Sequence, residues 1–208
     1  AETNSYRMVV EDEKDLSGLP ESVVAASAEV ANNMGLEKEW VFTTHKPSML
    51  PFLQSAENRE LREKLYYAYT HRCNNGNEYD NNEILADIIS LRAKRAKLLG
   101  YETHSHITLE PRMAKNPDNV MDLLNRLWEA SLPVAVQEAD EMQEIVDREG
   151  GNFKLAPYDW WYYSEKLRKE KYDLDDNELR PYFKLENVRD GAFAVANKLF
   201  GITFDRLD

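Results

Sequence analysis

An all-α fold of about eight helices is what this sequence predicts, and three observations carry the prediction. Apolar residues recur at three- and four-residue spacing in most segments between residues 20 and 200. Those segments open on Asp, Asn, Ser, Thr or Pro and several close on Gly, the residues that start and stop helices. Two-residue alternation is confined to the terminal "ITFDRLD". No period near 34 or 40 residues recurs, which argues against a helical repeat array.

The elements follow in order. Residues 1–18 are polar and acidic with "MVV" at Met8 to Val10 as the sole apolar anchor, and read as an extended or loosely held lead-in. A helical domain is expected over 19–204. Its first helix is "GLPESVVAASAEVANNMG", with Pro20 in the first turn, a stripe of Val23, Val24, Ala28, Val30, Ala31 and Met34, and Gly35 past the end. "EWVFTTHKPSMLPFL" mixes β-branched and aromatic residues with two prolines and reads as an extended, docked connector, so no sheet is expected. Ser55 then caps a helix from 56 to 73 with Leu61, Leu65, Ala68 and Tyr69 inward. Asp80 and Glu83 make a capping box for a helix over 81–99 whose inward stripe is Ile84, Ile88, Leu91 and Leu99.

Thr103 caps a further helical stretch that Pro111 is expected to end or kink. Asn116 and Pro117 open the longest helical pattern, which runs to Gly150 and Gly151 and is expected to bend at Pro133. After it comes "PYDWWYYSEKLRKEKYDLD", a helix over 160–172 capped by Asp159. At about 100° per residue, Trp160, Tyr163, Leu167, Lys171 and Leu174 share its inward face; Trp161, Arg168 and Tyr172 lie a third of a turn away, and Tyr162 points elsewhere. One face cannot bury four rings. Either the helix lies between two layers of a helical body, or Trp161, Tyr162 and Tyr172 line a groove or interface. Asp175 and Glu178 cap a short helix ending near Pro181, Leu185 to Phe200 form the last helix before Gly201, and 202–208 read as the truncated start of a strand.

Composition narrows the function. With 208 residues and 42% hydrophobic content the chain builds a real core. A net charge of −12 opposes binding to phosphate backbones and anionic lipid, so no nucleic-acid or membrane partner is expected. Cys73 is the one cysteine, which excludes an internal disulfide framework, and no apolar run approaches a membrane span or a signal peptide. A cytoplasmic setting is expected, or a periplasmic one if a leader precedes the sequence.

No catalytic kit emerges from the residues themselves. His45, His71, His104 and His106 include no pair at the four-residue spacing of a metal helix, so no metal ligands are assigned. His71 cannot face Cys73 from two positions away on a helix, and the thiol reads as packed. No glycine-rich phosphate loop is present. Most of the charge pairs at helical spacing, Arg59 with Glu63, Glu60 with Lys64, Glu165 with Lys169 and Lys166 with Glu170, which reads as solvated helix faces.

Longer strings say more than single motifs. "PSMLPFLQSAENRELREKLYYAY", "YDNNEILADIISLRAKRAKLLGYETHSHITLE", "MAKNPDNVMDLLNRLW", "DWWYYSEKLRKEKYDLDDNELRPYF" and "LENVRDGAFAVANKLFGITF", taken in this order with the first helix, resemble the peptidyl-dipeptidase branch of the thimet oligopeptidase family of zinc metallopeptidases. The resemblance runs from about Leu16 to Phe204 and implies a largely helical parent with two lobes around a deep channel, which releases dipeptides from the C-terminus of oligopeptides. It implies zinc in that parent, held by an HExxH helix and a later Glu, in a portion beyond the "LFGITF" string. None of those positions occurs here. No catalytic or metal residue is therefore carried over, and the chain alone is expected to be inactive.

What the resemblance leaves to this stretch is helical scaffold and part of a channel wall, with Trp161, Tyr162, Arg168 and Tyr172 as the substrate-channel candidates. Its partners would be oligopeptides, through the parent, and the zinc-bearing portion. The rival reading is a free-standing helical module that binds a peptide or protein without chemistry.

Overall fold

The computed structural model describes residues 2–172 and 179–205, with the backbone alone at Arg180 and Pro181. Nine α-helices and one two-stranded sheet are present among them. Two compact units divide the chain, residues 1–167 and 168–208.

The first unit opens with α1 (Glu2–Ser5), β1 (Met8–Val10) and a 3₁₀ turn, Glu13–Leu16, whose first turn Asp12 caps through Lys14 N. The helix α2 (Glu21–Asn33) ends at Met34 and Gly35, as its pattern indicates. β2 (Trp40–Phe42) then pairs antiparallel with β1, Met8 opposite Phe42 and Val10 opposite Trp40. Two expectations are corrected here. The chain has a small sheet, and Met8 and Val10 are core residues at 0% and 3% exposure. Alternation over three residues is too short a signal to register, but it suffices to bury Met8 and Val10 on one face.

The presumed connector also divides. Its first part is β2, and its second is a helix, α3 (Lys46–Ser55), with Pro47 in the first turn where no N–H bond is lost. Pro51 sits inside α3 and forgoes one helical bond. The helix persists because Met49, Phe52 and Leu53 are fully buried against Phe42, whose ring lies 4.5 Å from that of Phe52. Next, α4 (Arg59–Thr70) is capped by Asn58, which accepts from Leu61 N at 3.1 Å, three residues after the predicted Ser55 cap. Leu65 of α4 completes this first core with Leu16 and Ala56.

Gly18 locks the turn before α2. Its φ is +85°, and a Cβ there would stand 2.2 Å from the Ser55 carbonyl. Beside it Ser17 Oγ donates to Glu57 at 2.6 Å and Glu57 N donates to the Ser17 carbonyl.

Three further helices extend from this body. α5 (Asn82–Leu98) starts one residue later than predicted, and Asp80 accepts from Asn82 N and Gly76 N. Those two backbone bonds hold the Asp80 carboxyl below its ordinary value of 3.8. α6 (His104–Leu109) has Thr103 as its cap, and α7 (Pro117–Arg148) has Asn116, both as predicted. α7 runs through Pro133 as one element of 32 residues. Its end is a second core, Met142, Ile145 and Val146 with Tyr162 and Tyr163.

The stripe assigned inward on α5 faces water. Ile84, Ile88 and Leu91 are 56%, 37% and 62% exposed, because among the described residues no helix covers them. No helix among those residues is long and apolar enough to cross a membrane.

A 3₁₀ turn, Pro157–Asp159, leads into α8 (Trp160–Tyr172). In the second unit a 3₁₀ turn at Arg180–Phe183 precedes α9 (Leu185–Phe200), which Gly201 closes at φ +70°. Ile202 to Asp205 form no strand, and Phe204 stacks on Phe193 at 4.1 Å. The capping box at Asp175 and Glu178, and Leu174, lie outside the described residues.

Candidate functional site

The "DWWYY" rings share out between two cores and one groove. The buried stripe of this segment is Asp159, Tyr162 and Tyr163, with Lys166 half-buried, the i, i+3, i+4, i+7 positions of a helix. Trp160, expected inward, is 37% exposed, and Tyr162, expected elsewhere, is buried. Tyr163 is buried and Leu167 packs on the second core as expected, while the stripe is centred nearer Asp159 and Tyr162 than the apolar residues alone indicate. Apolar counting passed over two charged members of the stripe, each of which has a partner far away in sequence.

Asp159 is the first. At 0% exposure it receives Arg59 through Nε at 3.1 Å and Nη2 at 2.8 Å, and Arg62 through Nη2 at 2.9 Å. Ala156 N adds a fourth donor at 3.1 Å. Arg62, itself 1% exposed, spends Nη1 on the carbonyls of Ala56 and Glu57. Two cations against one anion leave positive charge inside, and ring faces meet it. Arg62 lies 4.1 Å from the Tyr162 ring centroid, and Arg59 lies 4.1 Å from Phe153 and 4.7 Å from Tyr158. The hydrogen bonds that Arg59 donates to Asp159 raise the Arg59 pKa further.

Lys166 is the second. Burial works against its charge, yet hydrogen bonding to the Glu149 carboxylate at 2.6 and 2.8 Å and to the Tyr162 hydroxyl leaves its pKa raised, and the ammonium lies 4.6 Å from the Tyr162 ring centroid. The Tyr163 hydroxyl beside it is pushed up by burial, then by the Glu149 charge. Arg59 and Lys166 had been read as partners of Glu63 and Glu170 on solvated faces. Their hydrogen bonds to Asp159 and Glu149 tie α4 and the end of α7 to the α8 segment.

Clamped this way, α8 forms one wall of a groove of about 550 Å³. Trp160 and Trp161 face Tyr66 of α4, with Leu155, Ala156 and Pro157 along the connector and Asp140 and Gln143 on α7. Gln143 shapes the connector, donating to the Phe153 carbonyl at 3.1 Å and accepting from Leu155 N at 2.8 Å. Trp161 is half-buried, packs on the first core and lies 5.8 Å from the Tyr66 ring. An apolar floor beside a polar edge holds an apolar or aromatic side chain next to a hydrogen-bonding backbone.

Of the four predicted channel residues, Trp161 lines this groove, and Tyr162 is packed behind it under Arg62 and Lys166. Arg168 and Tyr172 belong to the second unit, Tyr172 at 72% exposure. Sequence reasoning missed Tyr66, Gln143 and the Asp159 clamp. The available signal was the excess of rings itself, since each stacked cation needs a face.

The histidines do not fit a zinc site. His45 precedes α3, His71 closes α4 beside Thr70 Oγ1 at 3.1 Å, and His104 and His106 bond Thr108 and Thr103 on α6. Among the described residues no three His, Cys, Asp or Glu side chains gather as metal ligands.

A helical body with a groove floored by aromatic residues is the architecture in hand, and comparison with known proteins places it. The profile of peptidase family M3 matches residues 52–208, so the chain belongs to that family. It is 38% identical over 204 residues to oligopeptidase A of Haemophilus influenzae, which covers 96% of this chain and 30% of that protein. It is 36% identical over 214 residues to the organellar oligopeptidase A, chloroplastic/mitochondrial, of Arabidopsis thaliana, covering 99% and 27%. Dipeptidyl carboxypeptidase of Escherichia coli is 34% identical over 210 residues, covering 100% of the chain and 31% of the enzyme. The chain thus spans under a third of the length of these relatives.

Proposed function

We propose that the chain serves a zinc-dependent peptidyl-dipeptidase, as helical scaffold and as part of the wall along which an oligopeptide is held before its C-terminal dipeptide is released. The observation that carries this reading is the family match over residues 52–208, together with the alignment of the whole chain to a dipeptidyl carboxypeptidase. Family M3 is generally zinc-dependent. Among the described residues no cluster of metal ligands gathers, so the metal and its ligands are assigned to the part of an M3 chain outside the matched stretch, where a bound zinc would activate water for amide hydrolysis.

Within this proposal Trp160, Trp161 and Tyr66 contact substrate side chains. Tyr162 fixes the wall from behind. Contacts remote from the scissile bond hold the peptide in register, which changes binding more than the chemical step.

The test is a chimera of the E. coli dipeptidyl carboxypeptidase that carries residues 1–208 in place of its matched stretch. Mass spectrometry of short peptide digests is expected to show C-terminal dipeptides, and Trp161→Ala to raise KM several-fold with kcat little changed. A folded, zinc-loaded chimera that cuts only internally, or not at all, contradicts the proposal.

A further inference from the structure

The first half of α7 is apolar over far more of its circumference than one neighbour covers. At about 100° per residue, Met121, Leu124, Trp128 and Leu132 form one stripe, and Leu123, Leu127 and Val134 form another roughly 120° away. Asp118, Asp122, Arg126 and Glu129 are confined to the remaining arc. All seven apolar residues are 43% to 64% exposed, and Leu124, Leu127 and Trp128 line a hollow of about 440 Å³. α5 repeats the arrangement, with Ile84, Ile88 and Leu91 on one side and Leu85 and Ile89 on another, 37% to 66% exposed.

We propose that α5 and residues 117–136 of α7 are the docking face for the portion of an M3 peptidase chain outside the matched stretch, a helical partner that packs on both stripes. This rests on the peptidase reading. Large apolar side chains exposed at this many positions of two helices mark an interaction site. A helix apolar on two sides belongs between two layers, and a two-fold pairing of α7 with a second copy would bury one stripe and leave the other in water. The relatives supply the material, because about 70% of oligopeptidase A and of dipeptidyl carboxypeptidase lies outside the match.

Hydrogen exchange of the full chain and of the E. coli chimera tests the face. Segments 82–98 and 117–136 are expected to exchange at least about 100-fold more slowly in the chimera than in the chain alone. Leu124→Asp with Trp128→Asp should restore fast exchange in the chimera while leaving the circular dichroism of the isolated chain unchanged. Exchange in the chimera as fast as in the chain alone overturns the proposal. So does slow exchange in the chain alone with a dimeric mass by light scattering, which would make the occupant a second copy. Dipeptide release by the same chimera reports separately on the peptidase reading: activity without protection removes the face and keeps the reading, and protection without activity does the reverse.

Discussion

Two ends of one helix behave as if they belonged to different proteins. At its C-terminal end α7 buries Met142, Ile145 and Val146 to 2% exposure or less, while Trp128 and Leu127 toward its start are 64% and 55% exposed. The apolar spacing is of the same kind in both halves. Around the buried end stand the connector that Gln143 holds, the Lys166–Glu149 bridge and the start of α8, all supplied by this chain. Around the other end the principal neighbour is the six-residue α6. Amphipathic spacing therefore reports which surface needs cover, and says nothing of where the cover is encoded.

Removing a charge from the packed end should break it most severely. Asp159→Ala leaves Arg62 buried with no carboxylate, and breaking a buried pair costs about 3–5 kcal/mol; urea denaturation of the isolated chain is the measurement. If the loss is within about 1 kcal/mol, the clamp does not hold α8. The tryptophans sharpen the comparison on a finer scale. Trp161, packed on the first core, should cost about 2 kcal/mol on truncation to Ala, and Trp160, open to the groove, about 1 or less. That order reverses the one that apolar counting of the helix gives, so equal losses would support neither phase.

The fold was legible wherever a signal is local. The caps at Thr103 and Asn116, the stop at Gly201 and the span of α8 depend on neighbours within four residues, and they stand where predicted. What was not legible depends on pairing at a distance. Met8 meets Phe42 across 34 positions, and Asp159 meets Arg62 across 97. α3 survives Pro51 only because Phe52 and Leu53 are core. At the groove, Trp161 stands in the segment with the excess of rings, whereas Tyr66 and Gln143 arrive from other helices.

Smaller effects separate the regions further. Gly18→Ala should cost about 1–2 kcal/mol from its left-handed backbone, with more from the approach to the Ser55 carbonyl. Trp128→Ala, in the exposed half of α7, should stay within about 0.5 kcal/mol. The start of α5 should respond to pH. Because the Asp80 pKa is lowered by folding, its contribution is present above the ordinary value of 3.8 and is lost as pH falls through the lower, folded value. Amide shifts of Gly76 and Asn82 followed by NMR should move together in that acid range, and Asp80→Asn should abolish the step.

The most direct test of the central claim compares amides within α7 alone. Native-state hydrogen exchange of the isolated chain should find residues 142–146 protected to the level of global unfolding, and residues 121–132 exchanging at least about 100-fold faster through local opening. Uniform protection along the whole helix, from Met121 to Val146, would show that the first half already has its cover within this chain, and would contradict the account.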